Sequence, residues 1–256
     1  LRILLLCSSF NGLSQRVWLE LRRAGHEVSV ELAVSEQVMV EAVELAAPDL
    51  VICPFLKERV PERVWRSYRT VIVHPGPPGD RGPSSLDWAI AESAPEWGVT
   101  ALQAVAEMDA GPVWGFRTFA MPVEAPRKSA LYNGPVADAA VELVLEVAVR
   151  AQDPSFVPVP VERVGAPVVG RLRRAMRHAD REFAWSEPTA EIVRRVRAAD
   201  GAPGGRAVLA GCRVRVFDVH AGPEASELPE AGVPGEVVAR REGALLVRTG
   251  DGSVWV

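Results

Sequence analysis

The chain of 256 residues predicts an α/β protein, a doubly wound, Rossmann-like domain followed by a small OB-like β-barrel domain. Three observations carry this. As far as residue 151, short β-branched runs alternate with segments of helical period, the pattern that lays down a parallel sheet. Residues 152–170, "QDPSFVPVPVERVGAPVVG", are rich in Pro and Val and have no helical period, as in an extended linker. Beyond residue 200 only short strand-like runs and turns remain, which suits a small barrel. The predicted division is 1–151, 152–170 and 171–256.

Each element has its own signal. "RILLLC" is a first strand, too short for the apolar region of a signal peptide and without a small-residue cleavage site. "RVWLELRRAG" has helical period and stops at Gly25, and "HEVSVEL" alternates with period two. Ser35 opens the helix "SEQVMVEAVELAA" in the manner of a capping box. "DLVICPF" and "TVIV" read as strands on either side of "PERVWRSY", a helix opened by Pro61. "SSLDWAIAES" is the next helix, "GVTALQAV" and "GPVWGFRTFAM" are strands around "AEMDA", and 129–151 reads as one long closing helix. "TAEIVRRVRAAD" is a helix ended by Asp200-Gly201, and "ALLVRTGDGSVWV" is a hairpin about Gly-Asp-Gly.

Composition narrows the function classes. Residues 1–150 carry 14 Lys and Arg against 19 Asp and Glu, and residues 151–256 carry 15 against 14, so neither part is a basic platform for nucleic acid. No apolar run approaches the roughly 20 residues of a membrane-spanning helix. Cys7, Cys53 and Cys212 are odd in number and far apart, with no C-x-x-C or Cys/His cluster. This predicts reduced thiols in a cytoplasmic protein, with neither a disulfide framework nor a metal site.

In doubly wound folds ligands bind outside the carboxyl ends of the strands. Three loops lie there: "CSSFNGLSQR", "CPFLKERVP" and "HPGPPGDRG". His74 ends its strand at that edge, and Asp109 in "AEMDAGP" lies in a loop that could reach it. An imidazole beside a carboxylate suits acyl chemistry, since the ring can donate to a developing oxyanion. The alternatives are a histidine capping a strand end and an aspartate serving a turn. "SFNGLSQ" is either an ordinary capped helix start or an anion site. The run "RLRRAMRHADR" is either a solvated face or a phosphate contact through Arg171, Arg173, Arg174 and Arg177.

The stretch "VIVHPGPPGDRGPSSLDWAI … WGVTALQAVAEMDAGPVW" resembles the core of the folate-dependent formyltransferases. The matching positions are His74, Pro75, Arg81, Gly82, Trp88, Ala89, Ile90, Gly98, Val99, Thr100, Asp109 and Gly111, and residues from "ADREFAW" onward are similar to the carboxyl-terminal domain of methionyl-tRNA formyltransferase. The resemblance extends to the HypX (HoxX) family of hydrogenase maturation factors through "LLLCSSFNGLSQRVWLELRRAGHEVSVEL" and "PFLKERVPERVW". It implies formyl transfer from 10-formyltetrahydrofolate to the thiol of coenzyme A, with a crotonase-like half and the hydrogenase maturation machinery as partners. His74 and Asp109 are the implied catalytic pair. Ser9, Asn11, Gln15, Arg81, Ser84 and Ser85 are candidates for substrate or oxyanion contacts. Phe55, Leu56, Lys57, Arg59, Val60, Gly76, Pro77, Pro78, Glu107 and Met108 are implied folate contacts.

Two departures from the family pattern bear on the acceptor. Ile72 stands where the family has a catalytic Asn two residues before the histidine, and the loop after His-Pro is one residue shorter. A thiol acceptor brings no N–H proton to lose, which fits the first. A tRNA or amino-sugar acceptor is the alternative, argued against by Ile72. A non-catalytic folate- or CoA-binding module is the other, with no reason to keep both His74 and Asp109.

Overall fold

The computed structural model describes residues 1–229 and 232–256. The chain divides into two compact units: 1–85, 96–120 and 132–174 form the first, and 86–95, 121–131 and 175–256 the second.

The first unit is built on six strands: β1 (Arg2–Cys7), β2 (Glu27–Leu32), β3 (Leu50–Cys53), β4 (Thr70–His74), β5 (Glu96–Gln103) and β6 (Val113–Ala120). They lie in the order β2-β1-β3-β4-β5-β6. The first four are parallel, and β5 pairs antiparallel with both β4 and β6. The sheet is therefore mixed, a correction to the all-parallel expectation. Alternation of strand and helix records the order of elements, not strand direction. The loop 104–112 between β5 and β6 is also too short for a crossover helix, so those two strands must turn back on each other. β1 and β3 are buried almost throughout, as strands covered on both faces are.

Helix α1 (Gly12–Arg23) is capped by Asn11, whose side chain accepts from Ser14 N. α2 (Glu36–Ala46) is capped by Ser35, and α3 (Glu62–Ser67) follows Pro61. The predicted helix 129–151 is interrupted. A short α5 (Lys128–Leu131) ends in the second unit, residues 132–136 form a π-turn holding Gly134 and Pro135, and α6 (Ala137–Arg150) follows in the first. Pro135 has no N–H to give and Gly134 leaves helical backbone angles, so the periodic pattern continues across a break. α6 buries Ala140, Leu143, Val144 and Val147.

Residues 152–170 lack regular structure apart from a 3-10 turn at Val161–Arg163, and they are tied down. Val159 exchanges both backbone hydrogen bonds with Val113, and Gly170 N donates to Pro78 O at 2.9 Å. The segment belongs to the first unit.

The second unit holds α4 (Ser85–Ala91) beyond its first residue, α7 (Thr189–Ala198) and two antiparallel sheets. β7 (Gly205–Leu209) pairs with β8 (Cys212–Val216). β9 (His220–Ala221), β10 (Val237–Arg241), β11 (Ala244–Arg248) and β12 (Ser253–Trp255) lie in the order β10-β11-β12-β9. The hairpin around residues 249–252 forms as predicted. Among the described residues a closed OB-like barrel does not. Closure needs tilted strands that pair all the way round, whereas β9 and β12 have only two and three residues. Ile192, Val193 and Val196 of α7 pack into one cluster with Val216, Val247 and Val254, so a helix fills part of the space a barrel would enclose.

Candidate active site

His74 is the last residue of β4, 5% exposed, opposite Thr100 of β5 and two residues beyond Ile72, the last β4 residue paired with β3. The loop that leaves it is locked by hydrogen bonds. Pro75 O accepts from Ser85 Oγ (2.7 Å) and Trp97 Nε1 (2.9 Å), Gly76 O accepts from Thr100 Oγ1 (2.7 Å), and Asp80 N closes a turn onto Pro77 O (2.9 Å). Each of these fixes a backbone group that would otherwise be buried without a partner.

The turn delivers Asp80, only 1% exposed, to the imidazole: Asp80 Oδ2 lies 2.8 Å from His74 Nε2 and Asp80 Oδ1 lies 2.7 Å from Arg173 Nη1. The Arg173 guanidinium also sits over the Trp97 ring, 5.4 Å from its centroid. Two glycines make room for this carboxylate. A Cβ on Gly76 would stand 2.3 Å from Asp80 Oδ2, and one on Gly170 would stand 2.3 Å from Asp80 Cβ.

On the other side of the ring, His74 Nδ1 is 3.6 Å from Asp109 Oδ1. Asp109 has φ +54°, a left-handed conformation that Asp tolerates better than most residues. Its Oδ2 accepts from Gly82 N at 3.2 Å. The histidine is thus flanked by two carboxylates, one bonded and one facing it across a gap.

The other candidates fall around three loops of the same unit. Lys57 N donates to Ser8 Oγ (2.7 Å), Ser8 N donates to Phe55 O (2.9 Å), and Ser8 Oγ donates to Glu58. That last bond leads the causes holding the Glu58 carboxyl below its usual range. Arg59 donates to Ala106 O, which joins the loop 54–61 to the loop carrying Asp109. Val60 is buried, Leu56 packs beside it, and Lys57 lies over the Phe55 ring. Met108 is half exposed, and Glu107 pairs with Arg81 at 2.5 Å. Gly76, Pro77, Pro78 and Ser84 are buried, and Ser85 serves the Pro75 carbonyl.

In the first loop, Asn11 Nδ2 donates to Tyr132 Oη at 3.2 Å while Asn11 Oδ1 caps α1, so both ends of this amide are engaged. Gln15 Nε2 donates to Phe10 O at 2.8 Å, and Ser9 is exposed. Tyr132 meets Phe55 edge to face, 6.1 Å between centroids, and burial pushes its hydroxyl above the ordinary pKa. Burial also raises the Cys7 and Cys53 thiols, at the ends of β1 and β3. They stay protonated and poorly nucleophilic.

Of the arginine run, Arg173 is taken up by Asp80. Arg171 and Arg174 are exposed in the first unit and Arg177 is exposed in the second. Among the described residues no group of three or more His, Cys, Asp or Glu could hold a metal ion, and no helix is long and apolar enough to cross a membrane.

Sequence reasoning missed Asp80, Arg173 as its partner, and Tyr132. Asp80 did leave a signal: it is the one carboxylate in "HPGPPGD", six residues from His74.

Known proteins resemble this chain in sequence and in fold. The family model "Formyl transferase, C-terminal domain" matches residues 175–256. The hydrogenase maturation factor HoxX of Bradyrhizobium diazoefficiens is 48% identical over 257 residues, which cover 100% of this chain and 44% of that protein. HypX from Aquifex aeolicus, solved in complex with tetrahydrofolic acid, superposes with a TM-score of 0.89 at 43% identity, over 99% of this chain and 43% of that one. The methionyl-tRNA formyltransferase of Akkermansia muciniphila is 27% identical over 180 residues, 70% of this chain and 55% of that protein. The chain spans about half the length, or less, of these relatives. It has the formyltransferase fold with a mixed sheet, and it is similar along its whole length to the hydrogenase maturation factors HoxX and HypX.

Proposed function

We propose that the chain is a folate-dependent formyltransferase that moves the formyl group of 10-formyltetrahydrofolate to the thiol of coenzyme A. The observation that carries this reading is the His74–Asp109 pair, 3.6 Å apart at the carboxyl end of β4. It lies in a unit similar to a protein solved with tetrahydrofolic acid.

The chemistry asks for what the pair can do. The thiol sulfur attacks the formyl carbon and a C–S bond forms, while the carbonyl electron pair moves onto oxygen. The S–H proton passes to the His74–Asp109 pair, and a ring N–H donates to the oxyanion. Collapse breaks the bond from carbon to N10, and the held proton goes to that nitrogen. The products are formyl-CoA and tetrahydrofolate. A positioned acid–base pair contributes roughly 10²–10⁴-fold. A thiol, with a free pKa of about 8.5, gives up its proton readily enough for the pair to accept it.

On this reading folate binds between the loops 54–61 and 107–111, with main-chain groups of Phe55 to Val60 reading the pterin and Gly76, Pro77, Pro78, Glu107 and Met108 as its other contacts. Ile72 leaves one oxyanion donor fewer than the related enzymes have, a loss worth about 3–4 kcal/mol where such a donor is used. The thioester is to be consumed by a crotonase-like half or partner in hydrogenase maturation. Arg171, Arg174 and Arg177 are the candidates for its phosphates.

Incubation with 10-formyltetrahydrofolate and coenzyme A, read by mass spectrometry, tests the proposal. Formyl-CoA should form in small, protein-dependent amounts, because transfer from an amide nitrogen to a thioester is uphill. Formylation of an amino sugar or methionyl-tRNA instead of CoA assigns the other acceptor class. Tetrahydrofolate binding with no transfer to any of them points to a binding module.

A further inference from the structure

We propose that Asp80 is a positioning residue that acts through His74: it keeps a proton on Nε2, so that Nδ1 is the nitrogen that carries the travelling proton. The inference rests on the formyl-transfer reading and assigns a task within it.

Three observations converge. Asp80 is 1% exposed, with one oxygen on His74 Nε2 and the other on Arg173 Nη1, at 2.8 and 2.7 Å. A carboxylate bonded to a guanidinium has only acceptor oxygens, so the ring nitrogen facing it must be the donor. His74 Nδ1 is then left bare toward Asp109 Oδ1, across a gap of 3.6 Å that is longer than a hydrogen bond. Finally, the backbone is shaped to this carboxylate. Gly76 and Gly170 approach it more closely than any side chain would allow, and the turn before it is pinned at Pro75, Gly76 and Pro77.

The consequence is directional. A ring with its Nε2 proton held can take a proton only on Nδ1, which lies beside Asp109. When it does so it becomes a cation between two carboxylates, and its Nδ1–H is the donor available to the oxyanion. Arg173 keeps Asp80 an acceptor through the cycle. Ile72 cannot supply a polar contact to the ring, which leaves the tautomer to Asp80. A purely structural reading, in which Asp80 and Arg173 only clip residues 165–174 to the unit, gives the same tautomer but no loss of kcat in a folded Asp80→Asn variant.

The ¹⁵N spectrum of the His74 imidazole, assigned by its loss in His74→Gln and recorded where the ring is neutral, tests this on the unmodified chain. The expected signature is a protonated Nε2 and a bare Nδ1. In Asp80→Asn the amide has one acceptor oxygen, which the Arg173 guanidinium should take. Its NH₂ then faces Nε2 and the tautomer reverses. A reversal of this kind in a serine protease costs about 10⁴-fold in kcat, and here a fall of roughly 10²–10⁴-fold is expected, with KM for the folate changed less than ~3-fold. An Nδ1–H tautomer in the unmodified chain overturns the proposal. So does a folded Asp80→Asn that keeps its kcat. If that variant does not fold, the spectrum of the unmodified chain decides. If the chain transfers no formyl group at all, the functional reading fails and the tautomer still stands or falls by the spectrum.

Discussion

Asp251 caps helix α7 from outside the helix: its Oδ1 accepts from both the backbone N and the hydroxyl of Thr189, each at 2.8 Å. Pro188 at the N-cap position makes no side-chain bond of its own, so the aspartate does the capping. These bonds, the backbone one first, hold the Asp251 carboxyl below its usual pKa. A depressed folded-state value means stability that is present above the unfolded carboxylate value of roughly 3.9 and is lost as pH falls through the folded one. Asp251→Ala should cost about 0.5–2 kcal/mol at pH 7. Thermal melts of the two proteins should converge below about pH 4. A difference that persists at pH 2 assigns the effect to packing.

His74 and Asp109 should behave as one unit. His74→Ala and Asp109→Asn are each expected to lower kcat by roughly 10²–10⁴-fold, and the double variant to be no worse than the weaker single one. Asn is the right probe at 109, since the φ of +54° there would strain alanine as well as remove the carboxylate. Losses that multiply in steady-state kinetics would mean two independent roles.

Asn11 separates a helix cap from a hydrogen bond. Asn11→Ser keeps an acceptor for Ser14 N but gives up the contact with Tyr132. It should cost about 0.5–1.5 kcal/mol in a denaturant titration, while Asn11→Ala, which loses both, should cost about 1–3 kcal/mol. With both ends of this amide engaged, Asn11→Ser should change kcat less than ~3-fold. An oxyanion donor would instead cost roughly 10²-fold or more.

The acceptor can be probed by subtraction. Pantetheine has the thiol arm of coenzyme A without its nucleotide phosphates. Changing Arg171, Arg174 and Arg177 to Gln should raise KM for CoA, each phosphate contact being worth roughly tenfold if charge-assisted, and should leave pantetheine unaffected. Equal effects on both acceptors would place the phosphates elsewhere.

The legible parts of this protein are those fixed by neighbours in sequence. The runs of β1 and β3, the Ser35 cap and the final hairpin are local, and the structure has each of them. His74 stood out because an apolar strand ended on it. The partners of His74 were harder to see. Asp80 and Arg173 are 93 residues apart in sequence, and no periodicity records that a loop and a linker will meet. The direction of β5, the break at Pro135 and the open sheets of the second unit went unread for the same reason. Hydrophobic pattern reports burial, and each of these depends on which surface does the burying.

The clip between Arg173 and Asp80 also sets where the chain can be dissected. By secondary structure, the natural place to cut is after α6, near residue 151. By electrostatics it lies later. A fragment ending there keeps every strand of the sheet and the histidine, yet strips the buried aspartate of its counter-ion, at a cost of about 3–5 kcal/mol. It also removes Gly170 from beside the turn that carries that aspartate. A piece that keeps both of these contacts runs at least through Arg173. The stretch that reads as a tether between domains is a working part of the first one.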